Sequence, residues 1–312
     1  MALQPALPCR MKHRRLCGRR APGAGGASGR SARALAAGGT SGSSRGFGLL
    51  EWAGSLVPQG PLVTGTKQAW KIAFTTFVRE LAPQTSDGAY ARPGSAFSAE
   101  HLASLDPSRQ YVAYVGPPCP WCHRVELAAS LLALDSSNLL IQQLQSDAER
   151  ASRGGWVLPS PSGDAVFGRP DMRGVYDAAV GGFGYTGRAT APLLVDRQSR
   201  SIVCNDSGRI VQLLQALAQQ TRGADAPQLV PESIAHDINA LSERIYENIN
   251  NGVYKCGFAT SSSAYEQAEE ALFSTLAELN ERLSTSRFLH GNFITLSDLW
   301  LLPTAAYATH QM

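Results

Sequence analysis

Hydrophobic and polar positions change their period along this chain, and the changes divide it into regions. YVAYVG at 111–116 is a short β-rich run bounded by Gly and two prolines, which predicts a buried strand. In the following stretch Val125, Leu127, Ala128, Leu131, Leu132 and Leu134 cover most of a helix surface, the pattern of a helix packed between layers. NLLIQQL at 138–144 predicts a second strand, and strand, helix, strand in this order makes a βαβ unit with parallel strands. Residues 147–188 carry many Gly and Pro and predict a long irregular segment, a length that usually serves a site. APLLVD (191–196) and SIVCN (201–205) predict a hairpin. Asn205 is the expected N-cap of a helix whose apolar residues Ile210, Leu213, Leu214 and Leu217 fall at i, i+3, i+4, i+7.

Beyond the Pro/Gly/Ala-rich segment 221–233 only the helical period remains. Ile234, Ile238, Leu241, Ile245 and Ile249 line one helix face, and Tyr265, Leu272, Leu276, Leu279 and Leu283 line another. Thr295 and Asp298 form a capping box ahead of the apolar run LWLLPTAAYA. Upstream, 67–81 (KQAWKIAFTTFVREL) is a moderately apolar helical stretch. The expected organisation is therefore a basic tail over 1–50, an extension over 51–106 with little chemistry, an α/β domain over 107–220, a linker at 221–232 and a helical domain over 233–312. Three helices with the last cut short would leave an apolar face without a partner.

Charge alters this picture in one place. Residues 1–50 hold eight Arg and one Lys and no acidic residue, so the +3 of the whole chain hides a net acidic remainder. This acid-free, Gly/Ala/Ser-diluted composition is that of an organellar transit peptide, with a disordered basic arm as the alternative. A chloroplast address is expected, ahead of a mitochondrial or cytoplasmic one. With 17% charged residues in all, a chain-wide nucleic-acid binder is not expected. No run reaches the roughly 18 to 20 consecutive apolar residues that span a bilayer, so no membrane span is expected.

The cysteines carry the candidate chemistry. Cys119-Pro120-Trp121-Cys122 lies where a strand ends and a helix begins, so Cys119 meets the unpaired N–H groups and positive dipole of the first turn. Pro120 suits the first helical position. His123 and Arg124 are expected to add positive potential, bringing Cys119 below the ~8.5 of a free thiol. Cys122, one turn on, is the expected more buried partner and a candidate resolving thiol. A zinc site needs four ligands, and Cys204 and Cys256 lack spaced partners, so no metal is expected. Two inert structural cysteines are the other reading. Downstream, Pro192 after Ala191 is either an edge-strand proline or a cis-proline that frees the preceding backbone for a bound thiol. Asp206 and Ser207 either cap the next helix or hold a charged amino-acid group.

Together PCPWCHR after YVAYV, GW at 155–156, YTGRATAPLLVD (185–196), IVCNDS (202–207) and INNGVYKCGFATS (249–261) resemble the glutathionyl-hydroquinone reductases, the Xi class of glutathione transferases. The resemblance covers about 107–312. It implies a thioredoxin-like glutathione-binding domain followed by an all-α glutathione-transferase-type domain, with glutathione as co-substrate and reduction of glutathionyl-hydroquinones as the reaction. It also implies that Cys119 is the catalytic cysteine, that Trp156 lies beside glutathione, and that Ala191 offers its backbone before the cis-proline Pro192. Asp206 and Ser207 match the pair that holds the γ-glutamyl end, and Arg188 lies in the shared TGR segment. The expected partners are glutathione and quinone-derived small molecules, and a homodimer is in keeping with the family although its contact region is expected to be missing; no nucleic-acid or membrane partner is expected. The chain departs from the family in having Cys122 where Ala or Ser is usual, which opens a dithiol route. It also stops at Met312, where the family continues through helices that complete the hydroquinone pocket and dimer contact. The alternatives are a general glutathione S-transferase or dehydroascorbate-type reductase, and a non-catalytic glutathione-binding fragment.

Overall fold

The structure is a computed structural model that describes residues 64–70, 82–147, 149–150, 155–160, 162–181 and 184–310. The basic tail, most of the expected helix at 67–81 and part of the extension lie outside the described residues. Residues 64–70 are helical and exposed.

The α/β region starts at β1 (Tyr111–Val115) and α1 (Pro120–Leu131), continues through β2 (Leu139–Gln143) and a small pair, β3 (Gln145–Ser146) and β4 (Trp156–Val157), and reaches α2 (Met172–Val180). It closes with β5 (Leu193–Asp196), β6 (Ser201–Cys204) and α3 (Ser207–Arg222). The main sheet has the order β2-β1-β5-β6. β1 and β2 are parallel, with Ala113 opposite Ile141, and the β5–β6 hairpin is antiparallel. The expected βαβ unit and hairpin are thus both present.

β1 is buried at every residue, and its period of two assigns its side chains to two cores. Tyr111, Ala113 and Val115 face the layer formed by α1 and α3, while Val112 and Tyr114 face Met172, Val175 and Tyr176 of α2. The helix α2 corrects the expectation of an irregular 147–188. Asp171 caps it by accepting from the Gly174 amide, and an apolar face of three residues holds it to the sheet. Before it, Asp164 accepts from the amides of Val166, Phe167 and Arg169 and from the Tyr114 hydroxyl at 2.7 Å, so a buried carboxylate organises the loop.

The second region consists of α4 (Ala235–Ile245), a π-turn (Tyr246–Asn250), α5 (Gly252–Phe258), α6 (Ser262–Thr285) and α7 (Leu296–His310). Ile238, Leu241, Ile245 and Ile249 are buried as their spacing requires. On α6 the expected stripe holds at Leu272 and Leu279 but fails at its ends. Tyr265 and Leu283 are exposed, and Ala264 and Thr275 complete the buried side. Asp298 accepts from the Thr295 amide at 2.9 Å and from the Thr295 hydroxyl, making the expected capping contact, and also from the Leu289 amide.

The segment 221–232 is not a free tether. α3 runs through Arg222, and Ala226 and Leu229 are buried in the core that joins α1 and α3 to α4, α6 and α7. The extension is structural too. Its 84–90 turn bonds to the α5–α6 connection through Thr260 N to Gly88 O and Gln84 Nε2 to Phe258 O, both 2.9 Å. Farther on, Phe97 exchanges hydrogen bonds with Asn205.

Candidate functional site

The site forms where β1 hands over to α1. Cys119 is the N-cap of α1 with extended backbone (φ −85°, ψ 116°), and Pro120 occupies the first turn, as the spacing predicts. The thiol is half-buried, with Sγ 3.9 Å from the Ala191 carbonyl oxygen. Its pKa falls to about 7, chiefly because the Cys122 thiol donates a hydrogen bond to the thiolate. Burial opposes this, while the Cys122 and Trp121 amides and the Arg92 charge assist it. Cys122 is fully buried, and burial pushes its own thiol far up. Holding its proton, Cys122 is the partner that donates to the Cys119 thiolate.

The two expected cations part company. His123 is exposed on α1. Arg124 turns inward, 1% exposed, and its Nη2 donates to Asn250 Oδ1 at 2.6 Å while its Nη1 lies 3.5 Å from Ser207 Oγ. The guanidinium stands 3.9 Å from the Trp300 ring centroid, so it ties α1 to the helical region. Burial lowers its pKa to about 9. Even so, Arg124 and Cys119 attract one another, as expected, and Arg92 adds a second charge that favours the Cys119 thiolate.

Ala191–Pro192 is a cis peptide, as is Pro117–Pro118. Ala191, Pro192, Asp206, Ser207 and Arg188 all line one cleft of about 740 Å³, immediately beside Cys119. Asp206, rather than Asn205, is the N-cap of α3: its Oδ1 accepts from the Arg209 amide at 2.8 Å, and its Oδ2 lies 3.3 Å from Ser95 Oγ. Asn205 instead anchors the extension. The cap reading of Asp206 is correct as geometry, and it leaves the carboxylate and the helix N-terminus at the cleft wall. Trp156 is not among the cleft-lining residues; it is half-buried, with its ring packed over Gly116, where a Cβ would collide with it.

The remaining cleft wall is aromatic and was not foreseen. Tyr90, Trp121, Tyr246, Tyr254 and Phe258 gather there, with Trp121 Nε1 donating to Tyr254 Oη at 3.1 Å. Arg92 lies over Trp121 at 4.0 Å and over Tyr254 at 5.2 Å. The sequence carries a signal for Tyr254 and Phe258, four apart on one helix face. For Arg92, a lone cation in a Gly/Pro-punctuated loop, there is none. The segment expected to hold little chemistry supplies a charge that favours the thiolate.

Chemically, the cleft offers an activated thiol, the Ala191 backbone before a cis-proline, two guanidinium groups, a carboxylate at a helix N-terminus and an aromatic wall. No family model matches the chain. Over 237 residues, 72% of this chain and 68% of the relative, it is 33% identical to the glutathionyl-hydroquinone reductase YqjG of Escherichia coli (strain K12). It is 34% identical over 225 residues, 71% of this chain and 70% of the relative, to the glutathionyl-hydroquinone reductase PcpF of Sphingobium chlorophenolicum. The crystal structure of the glutathione-S-transferase Xi from Phanerochaete chrysosporium superposes with a TM-score of 0.62 at 27% identity, covering 73% of this chain and 76% of that one. The glutathione-bound structure of YqjG gives 0.57 at 32% identity, covering 73% and 72%.

Proposed function

The chain belongs to the glutathionyl-hydroquinone reductase family of Xi-class glutathione transferases, and on that premise we propose that Cys119 is the nucleophile of a glutathione-dependent reduction of glutathionyl-hydroquinones. The observation that carries the assignment of residues is the lowered Cys119 thiol at the N-terminus of α1, next to Ala191 and the cleft.

Glutathione is a peptide with two carboxylates and one ammonium group, and the cleft offers matching charges. The α3 N-terminus with Ser207 suits the γ-glutamyl carboxylate, Asp206 suits the ammonium, and Arg188 suits an anionic end. The Ala191 backbone, beside the Cys119 sulfur, is placed to align an extended peptide. The ring of the conjugate then falls on the aromatic wall.

In the reaction, the Cys119 thiolate attacks the glutathione sulfur of the conjugate. An S–S bond forms, the ring C–S bond breaks, and its electron pair passes into the ring, spreading onto an adjacent oxygen when the ring is in its keto form. In that form the carbon already carries its hydrogen, so the ring leaves as a phenolate and the oxygen takes up a proton to give the hydroquinone. A second glutathione thiolate attacks the glutathione sulfur of the mixed disulfide, expelling Cys119 as thiolate and giving oxidised glutathione. The net change consumes one glutathione and its proton for each C–S bond reduced.

Cys122 enters as a hydrogen-bond donor. A synthetic glutathionyl-hydroquinone supplied with glutathione tests this: Cys119→Ser is expected to lose at least about a thousandfold in rate, and Cys122→Ser to keep most of it. Equal losses would replace the scheme with a dithiol one. We also propose a plastid address from the acid-free first fifty residues. The N-terminal residue of the native protein tests it, and a mature chain still starting near Met1 would overturn it.

A further inference from the structure

Arg92 has features that thiolate stabilisation alone does not use. Its guanidinium carbon lies 4.0 Å from the Trp121 ring centroid and 5.2 Å from that of Tyr254, so two rings of the aromatic wall hold it. Among the described residues no carboxylate forms an ion pair with it, which leaves its N–H donors for a ligand. It also belongs to two cavities at once. One is the cleft beside Cys119; the other, of about 520 Å³, is lined by Ala264, Ala268 and Ala271 of α6 and by the paired Glu247 and Lys255. Arg188, by contrast, lies with Gly187, Thr190 and Ala191 at the peptide-holding part of the cleft. The cleft thus has one cation among the groups that suit glutathione and another among the rings that suit the electrophile.

We propose that Arg92 is a specificity-determining residue that donates hydrogen bonds to a ring oxygen of the electrophile next to the breaking C–S bond. This rests on the reading of the cleft as a glutathionyl-hydroquinone site and adds the recognition of its departing half. Negative charge develops on that oxygen as the C–S bond breaks, and donors already oriented towards it stabilise the departing ring more than the intact conjugate. A simple disulfide of glutathione delivers its leaving electrons to sulfur and offers no such oxygen. The second cavity, with alanines on one side and the Glu247–Lys255 pair on another, accommodates small substituents on the ring.

The test compares two substrates on the same enzyme: a glutathionyl-hydroquinone and a mixed disulfide of glutathione with 2-mercaptoethanol, assayed at one pH with wild type, Arg92→Leu and Arg92→Lys. Both activities fall in Arg92→Leu because Cys119 loses its neighbouring cation. The hydroquinone conjugate is expected to fall about tenfold further, since an oriented charged donor to a developing oxyanion is lost. Arg92→Lys, with the charge but not the fork, is expected to restore the disulfide activity more than the conjugate activity. The disulfide activity itself reports whether each variant is folded. Parallel losses on both substrates would overturn the inference and leave Arg92 as a thiolate-supporting charge alone. A wild-type protein that reduces the disulfide but not the conjugate would overturn the underlying reading, and the inference with it.

Discussion

Two thiols one helical turn apart take opposite parts because one stands at the end of a helix and the other inside it. Cys119 stands half-buried at the N-cap beside the first-turn amides, whereas Cys122 is sealed between layers and keeps its proton. The rate of Cys119 alkylation against pH is therefore expected to rise with a midpoint of about 7. Cys122→Ala removes the donor and moves the midpoint up towards the ~8.5 of a free thiol, while Cys122→Ser, whose hydroxyl still donates, holds it lower. An unmoved midpoint in Cys122→Ala would contradict the donor role. Because the folded pKa lies below that of the unfolded thiol, ionisation stabilises the fold above the unfolded value. That increment disappears as pH falls through about 7. Cys119, Pro192, Asp206 and Ser207 were legible in the sequence because each sits at a local junction of strand and helix, a pattern that a few neighbouring residues define. Arg92 was not, because its role comes from stacking on rings contributed by distant parts of the chain.

At the scale of elements, the strands were legible wherever burial on both faces left an uninterrupted apolar run, as in β1. α2 was hidden by Gly174 and by the Gly and Pro around it, since its nine residues are held by one apolar face and the Asp171 cap. Gly116, at the exit from β1, bears on the site through Trp156. Gly116→Ala puts a methyl into the indole, and the ring must shift; such overpacking costs about 1–3 kcal/mol. A lower midpoint in urea checks it, and a midpoint equal to wild type would show the ring moves freely. Asp298 holds three contacts ahead of α7, so Asp298→Ala is expected to cost about 1–2 kcal/mol, by the same measurement.

In the described part of the chain, the boundary that composition placed at 221–232 is crossed by one continuous hydrophobic core. Ile238 of α4 belongs to the cluster that holds Val125 of α1 and Leu213 of α3, and Arg124 spans the same boundary between Ser207 and Asn250. Pro and Gly in that segment turn the chain while Ala226 and Leu229 stay buried, a difference that composition does not carry. Ile238→Ala is expected to cost about 2–5 kcal/mol. It should lower the unfolding midpoints of helical circular dichroism and of tryptophan fluorescence together, whereas separate transitions would indicate two independent cores. The continuity also bears on catalysis, since the cleft takes its thiol and peptide-holding groups from one region and Tyr246, Tyr254 and Phe258 from the other. The most direct test of this account is a single turnover without added glutathione, in which the protein meets one equivalent of a glutathionyl-hydroquinone. Peptide mapping is expected to find one glutathionyl group on Cys119, with one hydroquinone released per adduct. Free hydroquinone without an adduct, or an adduct on any other cysteine, would contradict it.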